Sequence, residues 1–142
     1  MARLSATFGP PGPGRTLAVA YAIFALAAGA RSISQIAGDL GDAPPLSYLL
    51  SALAAAIYLV AAATIGRPEP SRLRIARIAC IVELAGVLAV GTYGLIDPDA
   101  LAAGTVWGGF GSGYGYLPLV LPMLGLLRIH AATPEAGAAD SP

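Results

Sequence analysis

The sequence predicts an all-α integral membrane protein, an antiparallel four-helix bundle with both termini on the cytoplasmic side. Three observations predict it. The 142 residues are 56% hydrophobic and 11% charged, with a mean hydropathy of +0.72, whereas soluble domains carry about 25% charge. Four apolar stretches approach the ~20 residues that cross a hydrocarbon core of ~30 Å. None of them alternates as a membrane barrel strand would. In lipid every backbone N–H and C=O must be paired within the protein, so such stretches cross as helices.

Residues 1–14 contain GPPGPG, too short for a collagen-like triple helix, and read as a disordered cytoplasmic tail. The membrane domain covers 15–130. Its first span is 16–36, whose apolar part TLAVAYAIFALAAGA ends at Ala30; GDLGDAPP at 38–45 closes it. Arg3 and Arg15 followed by Ala28-Gly29-Ala30 resemble a signal-peptidase site at Ala30. The continuation RSISQIAGDL extends the helix instead, and the span is read as retained. The second span is 45–66, separated by GRPEPSR from the third, 75–96, which stops at Asp97-Pro98-Asp99. The fourth and shortest is 113–129. Pro122 lacks an N–H and frees the carbonyl of Pro118, so a bend is expected there. Residues 131–142 are small and polar and form a second disordered tail.

Arginine sets the orientation, because cytoplasmic loops collect positive charge. All eight basic residues are Arg. Arg3 and Arg15 precede the first span. Arg67, Arg72 and Arg74 lie between spans two and three with Arg77 one turn on, and Arg128 is at the C-terminal end. The loop after span three has no Arg and carries Asp97 and Asp99. Tyr48, Tyr93, Trp107, Phe110, Tyr114 and Tyr116 all fall toward the outer side, where Tyr and Trp anchor at the headgroups. The expected location is the cell membrane.

Composition also removes function classes. A net charge of zero argues against nucleic acid as a partner. One cysteine, Cys80, forms no internal disulfide and no zinc cluster. One histidine, His130, leaves a catalytic triad or multi-His metal site almost nothing to be built from. No catalytic residue, cofactor site or metal site is assigned.

The candidate site is an intramembrane polar set: Glu83, Arg31, Gln35, Ser51 and Tyr58. An ionisable group inside a span is costly and is a functional candidate by default. Counted at 1.5 Å per residue, Glu83 and Tyr58 lie roughly 12 Å from the cytoplasmic end, with Tyr21 and Pro122 near that plane. Arg31 lies roughly 22 Å up, with Gln35 one turn on and Ser51 at a similar depth. The roughly 10 Å difference opposes a direct Glu83–Arg31 pair. A neutral Glu83 hydrogen-bonded to Tyr58 or to a freed carbonyl is the expected structural clasp. The stripe Ser47, Ser51, Ala55, Tyr58, Ala62 is expected to face the bundle.

The third loop, GTVWGGFGSGYGYLP, carries glycines at 109, 111, 113 and 115. It lacks the surroundings of a potassium filter and the lysine of a phosphate loop. A tight, exposed or re-entrant approach to span four is expected, with Gly letting backbone pack closely.

Arg31-Ser-Ile-Ser-Gln35, APPLSYLLSALAA at 43–55, Val82-Glu83-Leu-Ala-Gly-Val-Leu, and TVWGGFGSGYGYLPLVLPMLGL at 105–126 together resemble a group of uncharacterised four-helix integral membrane proteins of actinobacteria. That resemblance implies the membrane fold and no activity. Small multidrug exporters share four short helices and one membrane glutamate, but on the first helix, so the likeness is architectural. The expected role is a non-catalytic membrane subunit or accessory protein, partnered by the bilayer and by a membrane protein or a second copy. The alternative is a small proton- or solute-linked carrier or channel using Glu83. A lipid-active enzyme with a metal held by Asp97 and Asp99 is the weakest reading, since a solvated helix end explains both residues.

Overall fold

The computed structural model describes residues 12–38, 46–101 and 104–132. Every regular element among them is helical. There are four α-helices: α1 (Pro13–Gly38), α2 (Leu46–Thr64), α3 (Pro70–Ile96) and α4 (Leu117–Ala132). Two 3-10 helices, Pro98–Leu101 and Gly108–Tyr114, lie between α3 and α4.

The helices run alternately up and down. Gly14 at the start of α1 lies against Gly66 just past α2 and against the Arg128 guanidinium near the end of α4. At the other end, Arg31 of α1 lines a common cavity with Gly91 and Leu95 of α3. α1 packs on α2 and α4, and α3 packs on the same two helices. α1 and α3 are therefore diagonal.

Helix ends follow local chemistry. Glu69 is the N-cap of α3 and Pro70 stands at its first position, where a missing N–H costs nothing. α3 thus starts earlier than the span predicted at 75, because the proline that reads as a break is a helix start. Arg72 and Arg74 are on its first turns rather than in a loop. α1 likewise includes Pro13 and Gly14, residues the sequence assigned to a tail. The remaining tail assignments, at 1–11 and 133–142, lie outside the described residues.

α4 starts at Leu117, four residues later than the predicted span. Pro118 falls in its first turn, and Pro122 sits inside one continuous helix. The sharp change of direction comes before both: the second 3-10 helix and α4 meet at 95°. Gly115 and Tyr116 make that corner with φ of 64° and 61°, a left-handed conformation that Gly adopts freely and Tyr rarely does.

The exterior of the bundle is far more apolar than a water-soluble bundle's, and a few polar side chains join the apolar core. Leu26, Leu59, Leu95 and Leu127 point outward at 63 to 76% exposure, while Ser32, Ser47, Ser51, Thr64 and Glu83 are buried. Thr64 and Thr92 each donate to the carbonyl four residues back, Val60 and Leu88, both at 2.7 Å, so their hydroxyls need no water. α1 and α2 are long and apolar enough to cross a membrane, and the bent pair of second 3-10 helix and α4 makes a third candidate.

Candidate functional site

The centre of the molecule is a polar layer enclosed by helices. Glu83 of α3 is fully buried, and so are Tyr21 of α1 and Tyr58 of α2. Tyr21 donates its hydroxyl hydrogen to Glu83 Oε2 at 2.7 Å, across the diagonal of the helix ring. The same hydroxyl lies 3.7 Å from Cys80 Sγ, one turn before Glu83. Glu83 Oε1 has no hydrogen-bond partner. The rings of Tyr21 and Tyr58 are 6.0 Å apart and tilted, and Phe24 packs edge-on to Tyr58 at 5.9 Å.

Trp107 closes this layer. It belongs to the connection between α3 and α4, yet only 2% of it is exposed, and its Nε1 donates to the Tyr58 hydroxyl at 2.9 Å. The indole lies flush on Gly86, where a Cβ would meet ring carbons at 2.7 and 2.8 Å. Gly125 does the same service from α4: a Cβ there would come within 2.7 Å of Cys80 Sγ and 3.0 Å of Ile65 Cδ1. Two glycines on facing helices thus create the space that the aromatic and sulfur side chains fill. Beyond Trp107 the chain reverses through Gly109, Phe110 and Gly111, all at positive φ, and Phe110 packs on Gly91.

A second polar group lies toward the other end of α1. Arg31 is about 15 Å along the helix from Tyr21 at 1.5 Å per residue. Its Nη1 donates to the Tyr114 hydroxyl at 3.3 Å, and its Nε is buried without a partner. Gln35, one turn on, donates to the Gly104 carbonyl at 3.4 Å. Arg31, the glycine-rich segment and the end of α3 line a cavity of about 610 Å³.

Four of the five residues singled out from sequence therefore separate into two places, and Ser51 joins neither by a bond. Glu83 and Tyr58 share the central layer but do not bond each other; Tyr21 takes the glutamate and Trp107 takes Tyr58. The expected bond from Glu83 to Tyr58 or to a freed carbonyl is corrected in that sense, and Arg31 bonds Tyr114 rather than Glu83. Arg31 and Gln35 grip the glycine-rich segment. Ser51 is buried on α2 with its hydroxyl unpartnered, as is Ser47. The buried face of α2 runs Ser47, Ser51, Ala54, Tyr58, Ala61, with Ala55 and Ala62 at its edge.

Trp107 is the residue that sequence reasoning misplaced. An interfacial anchor was expected; a core residue with a bonded N–H is found. The loop around it has no helical period from which to infer depth. The available signal was Gly86, one turn beyond Glu83 on the same helix, since glycine inside a span leaves room for something large. Among the described residues, no three His, Cys, Asp or Glu side chains converge as a metal site. Comparison of the chain with protein-family models, with curated proteins and with solved structures finds no match.

Proposed function

We propose that the chain is a four-span polytopic membrane protein acting as a non-catalytic subunit or accessory component of a membrane assembly. The outward leucines and inward hydroxyls support a lipid-facing exterior. α1 and α2 pass as spans by length and apolarity. Between Arg77 and Asp97, α3 has Glu83 as its sole charge, and at 27 residues it is long enough to cross. α4 is the short fourth span. Arg67, Arg72, Arg74 and Arg128 gather at the end of the molecule where α1 begins, which supports cytoplasmic termini.

The observation that favours the accessory reading over a carrier is the sealed Tyr21–Glu83 contact. A carrier's carboxyl must meet water or solute in turn from each side, whereas Glu83 has no exposed surface and is walled by Tyr21, Cys80 and the Trp107–Tyr58 pair. Purification from native membranes in mild detergent tests the proposal. A stoichiometric protein partner is expected; an isolated monomer or homodimer overturns the accessory role.

The carrier reading draws on one observation, the unpartnered Glu83 Oε1. It requires water access. Single cysteines placed beside position 83 in a Cys80→Ala background would then react with water-soluble thiol reagents from one side or the other. Failure to react from either side removes that reading and leaves the first standing.

A further inference from the structure

We infer that the cavity between Arg31 and the glycine-rich segment 104–114 is a binding site for a single phosphate group, carried by a lipid headgroup or by a small soluble ester. Arg31 is a permanent cation that donates to a neutral hydroxyl, Tyr114, at a long 3.3 Å. Its Nε is buried and unpartnered. Among the described residues no carboxylate pairs with it, and Glu83 is committed to Tyr21 deep in the core. A buried guanidinium edge without an acceptor is costly unless an oxyanion completes it.

A second unsatisfied donor belongs to another residue of the same lining. Thr105 is 6% exposed, lines the cavity, and its Oγ1 has no hydrogen-bond partner. Glycines 104, 108, 109 and 113 form much of the wall, so no side chains obstruct an approach to backbone there. A planar guanidinium fork together with a hydroxyl suits phosphate oxygens. The volume of about 610 Å³ lies within the ~300–1,000 Å³ of small-molecule sites, so the occupant carries an organic body as well as the phosphate. Pro98 lines the cavity, Asp97 and Asp99 flank it in sequence, and Asp97 Oδ1 accepts from the Ala100 N–H at 3.3 Å.

Binding is read by isothermal titration calorimetry, because Trp107, the sole tryptophan, packs on Gly86 and Tyr58 rather than in the cavity. The purified protein in neutral detergent is titrated in parallel with phosphatidylglycerol, with phosphatidylcholine and with glycerol phosphate. A saturable change with phosphatidylglycerol, absent with the other two, identifies a headgroup site. Saturation by glycerol phosphate identifies a soluble ester. No saturable change with any of the three overturns the inference. Arg31→Gln is expected to weaken binding about tenfold or more, and Thr105→Val about threefold to tenfold. Arg31→Lys retains part of the affinity, as a point charge without the fork. Equal affinity in wild type, Arg31→Gln and Thr105→Val also overturns it. If Arg31→Gln does not fold, the Thr105→Val comparison decides alone. The soluble arm is independent of the membrane reading, so its success or failure is distinguishable from the fate of that proposal.

Discussion

Replacing Tyr21 with Phe removes one oxygen and leaves the Glu83 carboxyl with no partner at all. Its Oε2 accepts from Tyr21 at 2.7 Å, and Oε1 has no other donor. In a water-soluble core, an orphaned buried acceptor costs about 1–3 kcal/mol. Interhelical hydrogen bonds in bilayers average only about 0.6 and reach about 1.7 kcal/mol, because separated helices find other partners in the membrane. Both residues are fully buried and the bond crosses the diagonal of the helix ring, so the upper part of that range applies. We expect Tyr21→Phe to destabilise the fold by about 1.5 kcal/mol, roughly tenfold in the unfolding equilibrium. Glu83→Leu in both backgrounds completes a cycle, and a coupling of about 1.5 kcal/mol is expected. Glu83→Gln keeps a side-chain carbonyl to accept from Tyr21, so it should fold and lose less than about 0.7 kcal/mol. The assay is reversible unfolding in mixed micelles with sodium dodecyl sulfate, followed by Trp107 emission and far-ultraviolet circular dichroism. A Tyr21→Phe protein within about 0.3 kcal/mol of wild type, with coupling near zero, would refute the clasp. So would Gln proving as damaging as Leu.

Gly86→Ala should destabilise by about 1–2 kcal/mol: its Cβ meets the indole at 2.7 Å, and overpacking outweighs the ~1 kcal/mol helix-propensity gain. Gly94→Ala, whose Cβ meets Leu101 Cδ1 at an ordinary 3.5 Å, is the control and should be neutral or stabilising by thermal unfolding; equal behaviour of the two variants would displace the indole from this position. Trp107→Phe leaves the Tyr58 hydroxyl without its donor and should cost about 2 kcal/mol from the lost bond and the smaller ring, read from thermal unfolding by circular dichroism. Cys80 is fully buried and should resist maleimide in the folded protein and react on unfolding, as followed by mass shift; rapid labelling without unfolding would show the central layer to be open.

Much of the helical scaffold was legible because length and punctuation act over many residues. The apolar runs of α1 and α2 and the Asp97-Pro98 stop of α3 are additive signals. Counting 1.5 Å per residue placed Tyr21, Tyr58 and Glu83 in one layer, because depth along a straight helix is a local quantity. Which of them touch is not local. Tyr21 wins Glu83 because α1 and α3 are diagonal, and Tyr58 is claimed by an indole from a loop whose path depends on three consecutive left-handed residues, Gly109 to Gly111. Proline was the other source of error: Pro70 begins α3 and Pro118 lies in the first turn of α4, since the residue that breaks a helix interior suits its opening turn.

The position of Trp107 bears on the order in which the chain comes together. Its cradle is built from α2 and α3, yet it arrives on the connector leading into α4, so those two helices must already stand side by side before the wedge has anywhere to lodge. Seating it is then a late event, and until it happens the glutamate and both tyrosines lie open at that end. A mutation that merely stiffens the 95° corner at Gly115 and Tyr116 would act far from itself, by leaving the heart of the protein unsealed.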